Sequence, residues 1–154
     1  MEQYYFTQVT PGAIITLRWK QLRQGLPRET AVFPGDDADR VVHYAAFQSE
    51  FDSHKADTAI CCLTLLPGNV LDENVSYQLR GMATDEAYQG KGIGAALLKY
   101  SIDDITKKTG AKEFWCNARE SAVGFYNKSG WKVTSEKFEI EGVGPHYKMH
   151  YLYE

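Results

Sequence analysis

The chain has 154 residues, 44% of them hydrophobic and 13% aromatic, with 17 basic and 20 acidic side chains. That length suits one domain, and the apolar content supports a packed core, which excludes a disordered tail or linker. A net charge of −3 excludes the basic stripe of a dedicated duplex-DNA binder, so no nucleic-acid partner is expected.

Charge is unevenly spread. Residues 1–90 carry 7 basic and 12 acidic groups, residues 91–154 carry 10 and 8. An anionic ligand therefore suits the second part and a cationic one the first. Cys61, Cys62 and Cys116 have neither C-x-x-C spacing nor an even count, so they read as reduced, buried thiols with no metal site. The start at Met1-Glu2 lacks a basic, apolar leader. The longest charge-free stretch, 58–71, is short and broken by Pro67-Gly68, so no membrane span is expected and the protein reads as cytoplasmic.

In chain order, residues 4–9 read as a strand. Thr10-Pro11 then look like an N-cap with proline at the first helical position. Ile15, Trp19 and Leu22 fall on one helical face, and Gly25 and Pro27 end that helix. Residues 28–39 form a loop. Three β-branched and aromatic runs, 41–47, 58–66 and 75–84, predict an antiparallel meander. Residues 92–109 form the clearest helix, with Ile93, Leu97 and Tyr100 in one row and Leu98, Ile102 and Ile105 in a second making a broad apolar face before Gly110. A strand at 113–117, a helix at 121–129 closed by Gly130, and strands at 131–140 and 147–153 complete the order β-α-β-β-β-α-β-α-β-β. This is an α/β fold with a mixed, mostly antiparallel twisted sheet flanked by helices, in a single domain over 1–154.

The segment that carries chemistry is Gln89-Gly90-Lys91-Gly92-Ile93-Gly94-Ala95, between a strand and the long helix. Three glycines in five residues bring the backbone close to a ligand. A helix start offers free N–H groups and a positive dipole end, for which phosphate is the natural partner, and Lys91 adds a cation. A P-loop would need Ser or Thr after Lys91, where Gly92 stands. The dinucleotide pattern can be laid on Gly90, Gly92 and Ala95, but it belongs at a first strand-to-helix turn, and here four sheet segments come first.

These residues resemble the Q/R-x-x-G-x-G/A signature of the GNAT superfamily of acyl-CoA-dependent N-acetyltransferases. Asn117, Ala122, Phe125-Tyr126 and Gly130-Trp131 are similar to that family's N-x-x-x-x-A-x-x-F-Y-x-x-x-G-[FW] segment. Leu17-Arg18, Gly25-Leu26-Pro27, Pro34-Gly35-Asp36, His43 and Gly144-Pro145-His146 resemble a subgroup of small bacterial members. Asp85 departs from the family, which often has proline there.

The resemblance implies acetyl-CoA as co-substrate, with the amides of Gly90, Lys91, Gly92, Ile93, Gly94 and Ala95 on its pyrophosphate and Gln89 within the signature. It also implies that the strand backbone at Met82, Ala83 and Thr84 pairs with the pantetheine arm, that Asn117 touches the cofactor, and that Tyr126 protonates the departing thiolate. The reaction implied is direct attack of a primary amine, from a small molecule or a peptide, in a ternary complex.

The general base stays open among Glu50, Asp52, Glu86, His43 and His146; His146 is placed in a loop-to-strand turn over the cleft. Arg18, Arg23 and Arg80 are candidates for a substrate carboxylate, or ordinary ion-pair residues. The lack of an obvious base leaves a second class open, a CoA-binding sensor without catalysis. Tyr147, Tyr151 and Tyr153 on the closing strands would suit a homodimer. On this reading the basic second part holds the anionic cofactor and the acidic first part faces the amine.

Overall fold

A computed structural model describes residues 3–68 and 76–154. Strands Tyr5–Val9 (β1), Val42–Phe47 (β2), Cys61–Pro67 (β3) and Ser76–Thr84 (β4) form the expected antiparallel meander; Val75 lies outside the described residues. Helix Ile93–Thr109 (α2) then crosses over to strand Glu113–Arg119 (β5), which runs parallel to β4. A parallel neighbour needs such a crossover because no tight turn can reach it. Helix Val123–Lys128 (α3) follows, and strand Gly144–Leu152 (β8) returns antiparallel to β5. The order across the sheet is β1-β2-β3-β4-β5-β8, with two short strands, Lys132–Val133 (β6) and Phe138–Ile140 (β7), along the far edge of β8. No helix among the described residues is long and apolar enough to cross a membrane.

Two expected elements change in detail. The strand expected over 131–140 is divided because the Ser135 hydroxyl accepts the Lys148 N–H at 2.8 Å, taking a ladder donor that a continuous strand would have used. Trp131 lies before it, its N–H bonded to the Tyr126 carbonyl at 3.0 Å. At the first helix, the Thr10 side chain caps nothing. Residues Pro11–Ala13 make a 3-10 turn, and the α-helix proper is Ile15–Leu22 (α1).

The sheet has two differently built faces. On one, α2 buries Ile93, Leu97, Leu98, Ile102 and Ile105 against Tyr77, Leu79, Phe114, Cys116, Ala118 and Met149. This is the broad apolar face read from the periodicity, except that Tyr100 is exposed and meets the Phe6 and Tyr44 rings beside the core. Tyr151 stacks on Trp131 at 5.8 Å, and Tyr153 packs against the same core. On the other face, α1 sets Ile14 and Leu17 against Ala45, Phe47, Cys62 and Ala83, while Trp19 is only half-buried.

Beside that small apolar patch lies a buried polar network. Arg18 is wholly buried and grips Asp36 through Nη1 at 2.6 Å and Nη2 at 3.2 Å. Nη1 also donates to the Ala31 carbonyl, and Nη2 to Thr64 Oγ1 at 2.6 Å. The Asp36 carbonyl can only accept, so His43 Nε2 donates to it at 3.0 Å and His43 Nδ1 accepts from Thr64 Oγ1 at 2.7 Å. Burial, helped by Arg18 and Arg80, holds the His43 imidazole below its usual pKa against the pull of Asp36. Arg18 and His43, both candidates for substrate chemistry, are thus members of the scaffold, with both terminal nitrogens of Arg18 and both ring nitrogens of His43 bonded inside the fold.

Burial would push the Asp36 carboxyl up, but the bonds from Arg18 and the Phe33 N–H, with the Arg18 charge, hold it below the ordinary range. Its contribution is therefore present at neutral pH and lost as pH falls through that lowered value. Breaking a buried pair leaves an uncompensated charge, which costs about 3–5 kcal/mol. Asp36→Ala should lower the urea unfolding free energy by that order at pH 7. The gap from the parent should narrow below pH ~4, where the unfolded chain's carboxyl takes up a proton that the folded one still refuses, and close as pH falls through the lowered folded value.

Candidate active site

Among the described residues, β4 and β5 pair only over the stretch Ser76, Tyr77 and Gln78 against Glu113, Phe114 and Trp115. Beyond it both strands continue, to Thr84 and Arg119, without joining. A bulge helps turn β4 away: Cys62 faces Ala83 and Thr64 faces Arg80, so Gly81 and Met82 stand against Leu63 alone. Gly81 has φ +63°, and a Cβ there would come within 3.0 Å of Arg18 Nε and 3.1 Å of the Phe33 ring. The bulge is therefore fitted to the Arg18 network and to glycine.

The divergence opens a cavity of about 420 Å³ through the sheet. From the α2 face it is lined by Leu79, Met82, Cys116, Ala118 and Tyr126. Strand alternation turns Arg80, Asn117 and Arg119 to the α1 face, and Arg23, Phe33 and His146 join the lining. Tyr126 and His146, from separate elements, thus share one space. Of the residues expected to face the cofactor, Met82 and Asn117 line it.

Tyr126 is buried, with its ring between Phe125 and Trp131 at 5.1 and 5.5 Å. Its hydroxyl points to Met82 Sδ at 3.9 Å, a weak acceptor. Burial, and to a lesser degree Cys116, raises the phenol pKa. The group therefore stays protonated at neutral pH and keeps a proton to give. Burial pushes the Cys116 thiol up to about 12, so it presents no thiolate nucleophile.

His146 is 4% exposed and sits within β8 opposite Arg119, not in a turn before the strand, because Gly144 and Pro145 already pair with β7. Its ring stacks on Phe138 at 6.0 Å. The Gly144 carbonyl lies 2.8 Å from Nδ1 and can only accept, so Nδ1 carries the proton. In the neutral ring Nε2 is then an open acceptor. Glu50 and Glu86 are exposed and Asp52 half-buried, and none of them lines this cavity.

The loop into α2 shows why its glycines are there. Gly90 and Gly92 both have φ +79°, a left-handed conformation that side chains resist. A Cβ at either would meet nothing within 4 Å, so the space before them is open. Among the described residues, no main-chain acceptor is engaged by the amides of Gly90, Lys91, Gly92, Ile93, Gly94 or Ala95; the first such bond is Ala96 N–H to Gly92 O at 3.1 Å. A row of free donors facing open space at a helix start fits a phosphate-bearing ligand.

Gln89 has a bracing role, its Nε2 donating to the Thr84 carbonyl at 3.1 Å. Ile93 is a core side chain and can offer only its amide, and Ala83 packs on the α1 face. Lys91 Nζ lies 5.6 Å from the Tyr88 ring centroid. Asp85, the departure from the family pattern, donates its N–H to the Ile60 carbonyl at 2.8 Å. Proline could not make that bond.

One expectation is reversed among the described residues. No carboxylate of theirs lines the cavity; its charged groups are Arg23, Arg80 and Arg119. The described acidic side chains of the first part do not gather there, because the half-chain charge count ignores which face each residue takes. Arg119 was not among the sequence candidates. Its signal was alternation, two positions beyond Asn117 on one strand. Phe33, Ile140 and Val143 carried no signal, since their loops meet the cavity only in the folded chain.

Residues 41–152 match the family model described as the acetyltransferase (GNAT) domain. The chain belongs to this family and is an acetyl-CoA-dependent N-acetyltransferase. It is 33% identical over 136 residues to the uncharacterised N-acetyltransferase YitI of Bacillus subtilis (strain 168), covering 87% of this chain and 86% of that one. The fold is similar to a crystal structure of an N-acetyltransferase-type protein from Lactobacillus plantarum, with a TM-score of 0.79 at 20% identity over 98% and 99% of the two chains. It is also similar to an aminoglycoside 6'-N-acetyltransferase complexed with coenzyme A, with a TM-score of 0.72 at 11% identity over 96% of each chain.

The Tyr126 hydroxyl has only the Met82 sulfur as partner, so removing it gives up little folding energy. Tyr126→Phe should unfold within about 1 kcal/mol of the parent in urea, the net worth of one ordinary hydrogen bond.

Proposed function

We propose that the enzyme joins acetyl-CoA and a primary amine in one ternary complex, with the amine attacking directly and no acyl-enzyme formed. The observation that carries this reading is that Tyr126 and His146 line one cavity, opened where β4 leaves β5. Acetyl-CoA supplies the activated acetyl thioester.

The amides of residues 90–95 hold its pyrophosphate, aided by the helix dipole and Lys91. The edge of β4 beyond Gln78 has no strand partner on the β5 side and offers its backbone to the pantetheine arm as an added strand would. His146 Nε2 takes the proton of the attacking amine, and Tyr126 gives its own to the departing thiolate. A weakly bonded, protonated phenol suits the second role. The sensor reading drew on the lack of a base, and an imidazole with a free nitrogen in the cavity weakens that motive.

Acetyl-CoA should raise the melting temperature, while NADH should not. Saturation at about 100 times Kd corresponds to ~2.7 kcal/mol. Gly92→Glu should abolish this shift. Gly92→Asn, which tolerates the left-handed backbone, should retain most of it. A shift surviving Gly92→Glu would remove the loop from the cofactor site.

Tyr126→Phe should lower kcat by about 10²-fold or more, the usual scale of positioned acid catalysis. Its acetyl-CoA affinity, measured by calorimetry, should stay the same. An unchanged kcat, followed by thiol release, would return Tyr126 to a packing role.

A further inference from the structure

The α1 side of the cavity is cationic by construction. Three arginines gather on one ring: the guanidinium carbons of Arg18, Arg23 and Arg80 lie 4.1, 4.8 and 5.6 Å from the Phe33 centroid. Asp36 is the one acid among them. Its oxygens are taken by Arg18, by the Phe33 N–H and, at 3.3 Å, by Arg80. One carboxylate thus answers two guanidiniums. Arg23 adds a third, with its Nη1 on the Leu22 carbonyl at 2.9 Å and no acidic partner among the described residues. The buried Arg80 Nε has no hydrogen-bond partner.

Across the cavity stands Arg119, also without an acidic partner among the described residues. Its chain neighbour Glu120 is engaged by Lys137 at 3.4 Å and does not line the space. With Arg23, Arg80 and Arg119 in the lining and no carboxylate there among the described residues, this wall attracts anions and repels polycations. The cofactor phosphates do not account for it. Their donors, residues 90–95, open α2, which packs on the opposite face of the sheet.

Resting on the acetyl-transfer reading above, we infer that the acceptor is an amine that also carries an anionic group, a carboxylate or a phosphate. Arg23 and Arg119 receive that group, with Arg80 behind them. Guanidinium forks suit planar and tetrahedral oxyanions alike. The same charges serve the chemistry, because cations near an ammonium favour its neutral form, and only the neutral amine attacks. The acceptor therefore enters from the α1 face by its anion, with its amine toward the gap between β4 and β5. Polyamines and other polycations are the class this wall turns away.

The test uses matched sets of primary amines: amino acids, the amines left when their carboxylate is removed, the corresponding aminoalkyl phosphates, and polyamines. Thiol release from acetyl-CoA gives kcat/KM. The anion-bearing member should exceed its neutral partner at least tenfold, and comparing the carboxylate and phosphate arms identifies the anion. Arg23→Gln with Arg119→Gln should remove most of that ratio through KM, with the KM for acetyl-CoA unchanged. A polyamine or neutral amine used best, or a ratio that survives both substitutions, overturns the inference and leaves acetyl transfer standing.

The same sets are titrated onto the CoA-saturated protein by calorimetry. If no amine releases thiol yet anionic amines bind and the double variant loses them, the transfer reading fails and this one stands. If no anionic amine binds, or the double variant weakens CoA instead, this inference falls.

Discussion

A fully buried guanidinium is expensive unless it is paired and hydrogen-bonded, and the fold around Arg18 answers both of its terminal nitrogens, while Nε has no hydrogen-bond partner among the described residues. The residues that do so come from far apart in the chain: Ala31 and Asp36 in the loop after α1, and Thr64 on β3. His43 on β2 closes the circuit between Thr64 and the Asp36 backbone, while Arg80 ties β4 to the same carboxylate. This one charge therefore sets where the long loop lies, and with it Phe33 and the α1 wall of the cavity. A loop of its length, whose regular structure is the single 3-10 turn Arg28–Ala31 among the described residues, needs such an anchor to hold a defined path.

The second organising feature is the brevity of the β4–β5 pairing. Three matched residues hold the two halves of the sheet together, and the bulge at Gly81–Met82 then turns one strand aside. The opening gives access to each face by a different chemistry. On the α2 face the access is apolar, with backbone donors at the helix start; on the α1 face it is cationic. Tyr126 and His146 reach the same space from α3 and β8, so neither half-sheet lines it alone.

Much of this was legible in the sequence, for identifiable reasons. The aliphatic positions of the α2 periodicity are the buried ones, because their core contacts are local in spacing, whereas Tyr100, read onto the same face, is exposed. The glycines of the loop were informative because backbone angle limits residue choice there directly. The α1 stripe was read less well: Leu17 and Arg18 are buried where Trp19 is only half-buried. A periodicity of apolar residues cannot register a buried charge whose partners lie 18 and 46 positions away. His146 was singled out, but its place within β8 depends on pairing with β5 and β7. The division of the strand over 131–140 likewise depends on one hydroxyl that competes with the ladder. The sign of the cavity wall was misread because summed charge carries no information about facing.

The braces on the loop before α2 have a thermodynamic meaning. Asp85 is tied to Ile60 and accepts the Ala87 N–H at 2.9 Å. Tyr88 N–H closes on the Asp85 carbonyl at 2.8 Å, and Gln89 is held to the end of β4. Ordering a free backbone costs roughly 1–2 kcal/mol per residue in entropy. Here that ordering belongs to folding, not to ligand capture, and glycine at the two left-handed positions keeps it free of steric strain. The donors at the start of α2 are thus aligned before any ligand arrives, so on the proposed reading the enthalpy of hydrogen bonds to a phosphate would not go into arranging the loop.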